Sequence, residues 1–243
     1  MIKNIFLIFV TTLILAYLSF AVYYSNLYME RTSMCKDIRV NIADAAERQY
    51  LNEKDILYSI SKAGLSPVGK DLSFVSMAAL ENIITENRLI KQADCYKAVN
   101  RTVQINVYQR KPVLRIFSAK ESYYIDSDGE KMSIPENFSA YVPVANGFIE
   151  EEYAQKQLYE FAMFLQVDKF WNSQIKQIYI AQNGDIELTP VVGNHIIILG
   201  KIDNYKEKLN KLRLFYDKGL SKVGWNRYSV INLKYKNQVV CTM

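Results

Sequence analysis

The sequence predicts an α+β protein with three parts: a single N-terminal transmembrane helix, a strand-helix-helix-strand-strand module, and a C-terminal antiparallel β-sheet domain with helices. Three observations carry this reading. Ile5 to Tyr24 is one unbroken apolar run without a charge. Between Ile38 and Val107 the apolar spacing switches from alternation to helical periodicity and back. From Leu114 onward, short alternating segments are separated by turn sequences and interrupted by two helical stretches.

The apolar run sets the topology. A helix rises about 1.5 Å per residue, so roughly 20 apolar residues cover the ~30 Å hydrocarbon core of a bilayer. A cleaved signal would have a shorter core followed by a small-x-small site. This run instead ends in Tyr23 and Tyr24, which suit the headgroup region, and Cys35 lies too far on for a lipoprotein signal. Lys3 stands on one side and Arg31, Lys36 and Arg39 on the other, so charge alone orients the helix poorly. The leading tail is a few residues long, which favours a cytoplasmic N-terminus and an extracytoplasmic body. The expected division is 1–27 for tail and membrane helix, 28–34 for a stalk, 35–113 for the first module and 114–243 for the second domain.

Half of the 243 residues are hydrophobic, enough for a substantial core, and no Pro-, Gly- or Ser-rich tract or internal repeat interrupts them. The net charge of +5 is carried by lysines that alternate with acids, a solvated surface rather than a nucleic-acid groove. Cys35, Cys95 and Cys241 are too few for a disulfide framework. Cys95 and Cys241 lie in strand-like runs, where a small buried apolar residue explains them, though one disulfide remains open.

The elements follow in order. Ile38, Val40 and Ile42 alternate with Arg39 and Asn41 as in a half-buried strand. Asn52, with Asp55 three residues on, reads as a helix N-cap ahead of Ile56, Leu57 and Ile60, and Gly64 as its C-terminal stop. A second helix is expected over 76–87 on the spacing of Met77, Leu80, Ile83 and Ile84. Two strands follow, 90–99 and the cleaner alternation of Val103, Ile105 and Val107, with Asn100 and Arg101 at the turn. In the second domain, strands are expected at 114–117 and 123–125, then a turn at Asp126-Ser127-Asp128-Gly129 and a helix over 151–166. Antiparallel strands are expected at 175–181, 186–189 and 195–199, a helix over 203–216, and one terminal strand over 228–241 with Ile231, Leu233, Tyr235 and Val239 on one face.

Several segments imitate chemical motifs and fail on inspection. Gly64 to Asp71 nearly spells a phosphate-binding loop, but Asp71 stands where a hydroxyl should meet magnesium and Pro67 lacks a needed N–H. Asp126 and Asp128 resemble part of a calcium loop, yet Asn137 occupies the position of its bidentate glutamate. His195 is the sole histidine, which leaves no His cluster for a metal, and it reads as structural. Glu150 to Glu152 open a predicted helix, where negative charge complements the dipole. No catalytic, cofactor-binding or metal-ligating set is found, and no enzyme or small-molecule substrate is expected.

The order of parts, together with short motifs, resembles the FtsQ/DivIB family of bacterial division proteins. Gln109-Arg110-Lys111-Pro112 is similar to the family's exit from its first module. Tyr123-Tyr124-Ile125-Asp126 with Gly129 is similar to its hairpin, and Ile231-Asn232-Leu233-Lys234-Tyr235 to its final strand. The family motif residues are thus Gln109, Arg110, Pro112, Tyr124, Asp126 and Gly129. The resemblance implies a POTRA domain followed by an FtsQ-type β domain. It also implies a non-enzymatic, single-pass scaffold of the inner membrane, enriched at the division septum. Such a scaffold would link FtsB-like and FtsL-like partners and govern septal peptidoglycan synthesis, without cofactor or nucleic acid.

A sheet edge can take a partner segment by backbone pairing. The expected docking surface is therefore Tyr216, Tyr228, Ile231, Asn232, Leu233, Lys234 and Tyr235. A second is the POTRA edge at Lys91, Ala93, Cys95 and Lys97. Two other classes stay in view. A POTRA-bearing export or outer-membrane assembly factor would need a barrel region that does not follow, and a cell-wall enzyme would need a nucleophile, metal or acid pair.

Overall fold

The computed structural model describes residues 2–44, 50–136 and 138–243, with the side chains of the first helix described over 9–25. Asn137, which bore on the calcium-loop reading, lies outside them. The chain divides into two compact units, Met1–Gln109 and Arg110–Met243. The division falls between Gln109 and Arg110 rather than at 113/114, because Pro112 and Val113 already belong to the first strand of the second sheet.

The first unit opens with helix α1, Ile2–Ser33, on which Phe9, Leu13, Leu15, Tyr17, Phe20 and Val22 are all exposed. Among the described residues no helix is long and apolar enough to cross a membrane. The side chains described on α1 stop short of the ~20 residues a span requires.

Strand β1 (Asp37–Ile42) is followed by helices α2 (Glu53–Lys62) and α3 (Met77–Thr85) and strands β2 (Ile90–Lys97) and β3 (Thr102–Gln109). Asn52 caps α2 in a full capping box: its side chain accepts the Asp55 N–H at 3.2 Å, and Asp55 accepts the Asn52 N–H at 3.0 Å. Ser76 caps α3 through the Ala79 N–H. The sheet order is β1-β3-β2, with β1 parallel and β2 antiparallel to β3. Ile56, Ile60, Leu80 and Ile84 from the helices close over Val103, Ile105 and Val107, all of them buried. The near phosphate loop is a turn pinned just ahead of β1, where Cys35 N–H donates to Lys70 C=O and Gly69 N–H to Cys35 C=O, both at 2.9 Å.

The second unit is built on a nine-stranded sheet of order β12-β11-β10-β9-β8-β7-β4-β5-β6. Its strands are β4 (Pro112–Ser118), β5 (Ser122–Asp126), β6 (Lys131–Met132), β7 (Val144–Gly147), β8 (Ile175–Ile180), β9 (Ile186–Pro190), β10 (Ile196–Gly200), β11 (Val230–Asn232) and β12 (Val240–Thr242). The expected all-antiparallel sheet is corrected to a mixed one, because β4–β7, β7–β8 and β10–β11 pair in parallel. The last two joins are helical crossovers, the connection a parallel pair requires.

Between β7 and β8 run α4 (Glu151–Tyr153), a π-helical turn (Ala154–Leu158), α5 (Tyr159–Val167) and α6 (Lys169–Gln174). Between β10 and β11 run α7 (Tyr205–Phe215), a second π-helical turn (Tyr216–Leu220) and α8 (Ser221–Val223). One buried cluster joins Leu158, Phe161, Trp171, Leu209 and Leu212 to strand residues such as Ile178 and Leu188. Phe161 and Phe164 hold Tyr205 edge-on, with ring centres 5.1 and 5.2 Å away.

The expected single terminal strand is likewise corrected. It is two three-residue strands joined by a turn, with Asn237 at φ +62°. Ile231 and Leu233 are buried, but Tyr235 lies in the turn and is 50% exposed, so it does not share their face.

Candidate functional site

The sheet of the second unit has two edges. One is β6, only two residues long, whose Lys131 is held by Glu121 and Glu151 at 2.5 and 3.0 Å and lies over the Tyr123 ring. The other is β12. Ile196 N–H donates to Ser229 C=O and Leu233 N–H to Ile198 C=O on either side of β11, so Ile231 between them turns its backbone groups to β10, while the Ser229 N–H goes to Thr242 C=O. Val230 and Asn232 turn theirs to Thr242 and Val240. Alternation then leaves the Cys241 N–H and C=O on the outer side of β12, flanked by exposed Val240 and Met243.

This outcome revises the expected docking surface. Strand β11 is interior, covered by β12, so Tyr228 to Tyr235 does not itself form the edge. Ile231, Leu233 and Tyr216 are core residues. Tyr228 and Asn232 are half-buried, and Lys234 and Tyr235 are exposed.

Beyond β11 the chain is anchored by ions. Lys234 Nζ reaches Asp185 Oδ2 at 2.9 Å, across the sheet at the β8–β9 turn, and Lys201 approaches the same carboxylate at 3.6 Å. The hydrogen bond from Lys234 holds the Asp185 carboxyl below its ordinary range, and in return lifts the Lys234 ammonium. Lys211 Nζ donates to Tyr235 C=O at 2.7 Å, tying α7 to the turn. Together with Lys236 these residues line an open cleft of about 880 Å³ with more cations than anions.

Behind this edge, buried His195 shares a 2.7 Å hydrogen bond between Nε2 and Tyr216 Oη, and Trp225 lies edge-on to Tyr216 with ring centres 4.9 Å apart. Burial lowers the His195 pKa and raises that of Tyr216, so at neutral pH both are uncharged. The histidine is a structural group within the core.

Tyr216→Phe leaves the ring nitrogen without its partner and is expected to cost about 1–3 kcal/mol, read from urea unfolding. A pH effect follows from the lowered His195 pKa. The unfolded chain takes up a proton as pH falls through 6.5 while the folded one resists, so this contribution to stability is complete above 6.5 and declines below it. Comparing urea midpoints at about pH 7.5 and about pH 5.5 should show a smaller decline in His195→Gln than in the parent chain.

The motif residues form a separate, structural knot. Buried Asp126 receives Arg110 Nη1 at 2.6 Å on one oxygen and the N–H groups of Asp128 and Glu130, both at 2.9 Å, on the other. Gly129, at φ +83°, closes the turn against Gln155 and Tyr159, and Tyr159 Oη donates to Ser127 C=O at 2.9 Å. Tyr124 accepts the Ala140 N–H at 3.3 Å with the Arg115 guanidinium over its ring. Pro112 starts β4, and in the first unit Gln109 ends β3 with its amide donated to Asp44 at 3.1 Å.

The expected second surface, β2, is one of the two outer strands of the three-stranded sheet. Lys91 and Lys97 are exposed, and the side chains of Ala93 and Cys95 are buried. Burial, with Glu81 and Asp94 nearby, pushes the Cys95 thiol up to about 12, and all three cysteines are free. Among the described residues no group of acidic, Cys or His side chains could hold a metal.

A strand-helix-helix-strand-strand module leading into a mixed sheet with an open terminal strand defines a two-module protein of the POTRA-plus-β class. Residues 33–108 match the POTRA-like domain, and residues 111–242 match the family described as FtsQ/DivIB, C-terminal related. The chain belongs to the FtsQ/DivIB family. Comparison with curated proteins gave no match. Membership implies a role in cell division.

Proposed function

We propose that this protein is a non-enzymatic, single-pass membrane scaffold of the division machinery that docks an FtsB-like segment by strand addition at β12. The observation that carries the reading is the outer side of β12, which no described strand covers; the turn that leads into β12, with exposed Tyr235, lines the cationic cleft. Backbone pairing would supply affinity along Val240 to Thr242, and Lys234 and Lys236 would favour an acidic flank on the partner. Residues 5–24 anchor the chain in the inner membrane with the folded units outside, which supports linkage to FtsL-like partners and control of septal peptidoglycan synthesis.

The test is capture of an FtsB-like partner by the full-length chain in lipid nanodiscs. Cys241→Pro removes an outward N–H and no ladder bond, so the fold is expected to persist while capture drops by about tenfold or more. Tyr235→Ala is expected to weaken capture with no change in fold. Undiminished capture by both variants, with circular dichroism unchanged, would place docking elsewhere.

A further inference from the structure

The β2 edge of the first unit's sheet is not open. Ala98 N–H donates to Thr102 C=O, and with the register of β2 on β3 this turns the even residues Gln92, Asp94 and Tyr96 toward β3. The odd residues Ala93, Cys95 and Lys97 therefore point their N–H and C=O groups outward. The central outward donor, Cys95 N–H, is taken at 2.8 Å by Glu81 Oε1, reaching over from α3. A carboxylate accepting a backbone N–H makes a charge-assisted bond, stronger than the amide pairing that a second strand would offer. It also sets a negative charge where the carbonyls of an incoming strand, ~4.8 Å away, would have to lie.

We propose that Glu81 is an edge guard that keeps β2 from pairing with β2 of a second copy of this chain. The second copy is the occupant because the uncovered edge is self-complementary. In an antiparallel pair centred on Cys95, Asp94 stands opposite Tyr96 and Ala93 opposite Lys97, so no like charges meet. Exposed Tyr96 supplies apolar surface for the contact. The guard acts as inward-placed charge does on other sheet edges, by making the wrong pairing costly rather than the right one tighter. This inference is independent of docking at β12.

The test uses the full-length chain in detergent, with light scattering over a concentration series. The parent chain is expected to be monomeric, and Glu81→Ala to self-associate about tenfold or more tightly. Lys97→Pro, which deletes an outward N–H and no bond to β3, is expected to return Glu81→Ala to the monomer. Glu81→Gln keeps an acceptor oxygen but loses the charge, and is expected to self-associate less tightly than Glu81→Ala. Amide exchange gives a reading that needs no variant: the Cys95 N–H should exchange far more slowly than those of Ala93 and Lys97. Equal exchange of the three amides, a folded Glu81→Ala that remains monomeric, or a dimer indifferent to Lys97→Pro would each overturn the proposal, as would binding of a foreign strand without self-association.

Discussion

Replacing Asp126 with alanine is expected to remove about 3–5 kcal/mol of stability, the cost of breaking a buried ion pair from one side. The carboxylate is fully buried and serves three donors at once. Truncation leaves the Arg110 guanidinium, 22% exposed, beside an empty site and strands the amides of Asp128 and Glu130 in the turn. Arg110→Met alone should cost less, since the two backbone donors keep their acceptor. A double-mutant cycle in urea isolates the pair: the Arg110 effect should largely vanish once Asp126 is gone. Equal Arg110 effects in both backgrounds would mean that the pair contributes nothing of its own.

Gly147→Ala should be about as damaging, at about 4 kcal/mol or more. Gly147 ends β7, pairing with Ser118 on one side and Ile180 on the other, and its φ of +104° is strained for any residue with a Cβ. The added carbon would fall on the Ile180 carbonyl oxygen, well inside contact distance. That oxygen also accepts the Phe148 N–H at 2.9 Å, so it cannot yield without loss of the bond that leads the chain out of the strand. The expected readout is loss of cooperative thermal unfolding. Gly184→Ala, in the exposed β8–β9 turn, makes a useful comparison because its added carbon meets only the flexible end of Lys201.

Much of this architecture was legible in the sequence where one local signal decided it. Alternation at Val103, Ile105 and Val107, the Asn52 capping box and the turn ending in Gly129 each report a single element, and each stands where its pattern placed it. Sheet direction was less legible. The helices at 151–167 and 205–223 lie between strands of one sheet, which calls for parallel crossovers, but the strand that begins the first crossover is Val144–Gly147, four residues with no alternation to announce it.

The terminal segment misled for a related reason. Ile231, Leu233 and Tyr235 alternate cleanly, but the chain leaves the sheet after Asn232 and turns at Asn237, so Tyr235 is decided by a turn rather than by strand parity. The candidate edge depends on neighbour order, and residues 228–235 carry no mark of being overlaid by 240–242. Glu81 was invisible for the same reason. Its meaning comes from a backbone group fourteen residues away.

From β7 to β12, order in the sheet follows order in the chain. Each strand is therefore laid against the one synthesised before it, and the last pair shields what precedes. Strand β10 presents Ile197 and Leu199 to the core and, without β11, would become a bare five-residue edge rich in isoleucine. A chain clipped before residue 228 would thus lose a cover as well as the strand proposed for docking. It would be prone to clump with its own kind and to be cleared by proteolysis. Loss of partner capture in such a truncated chain would report that collapse, whereas a single proline at Cys241 leaves the cover in place.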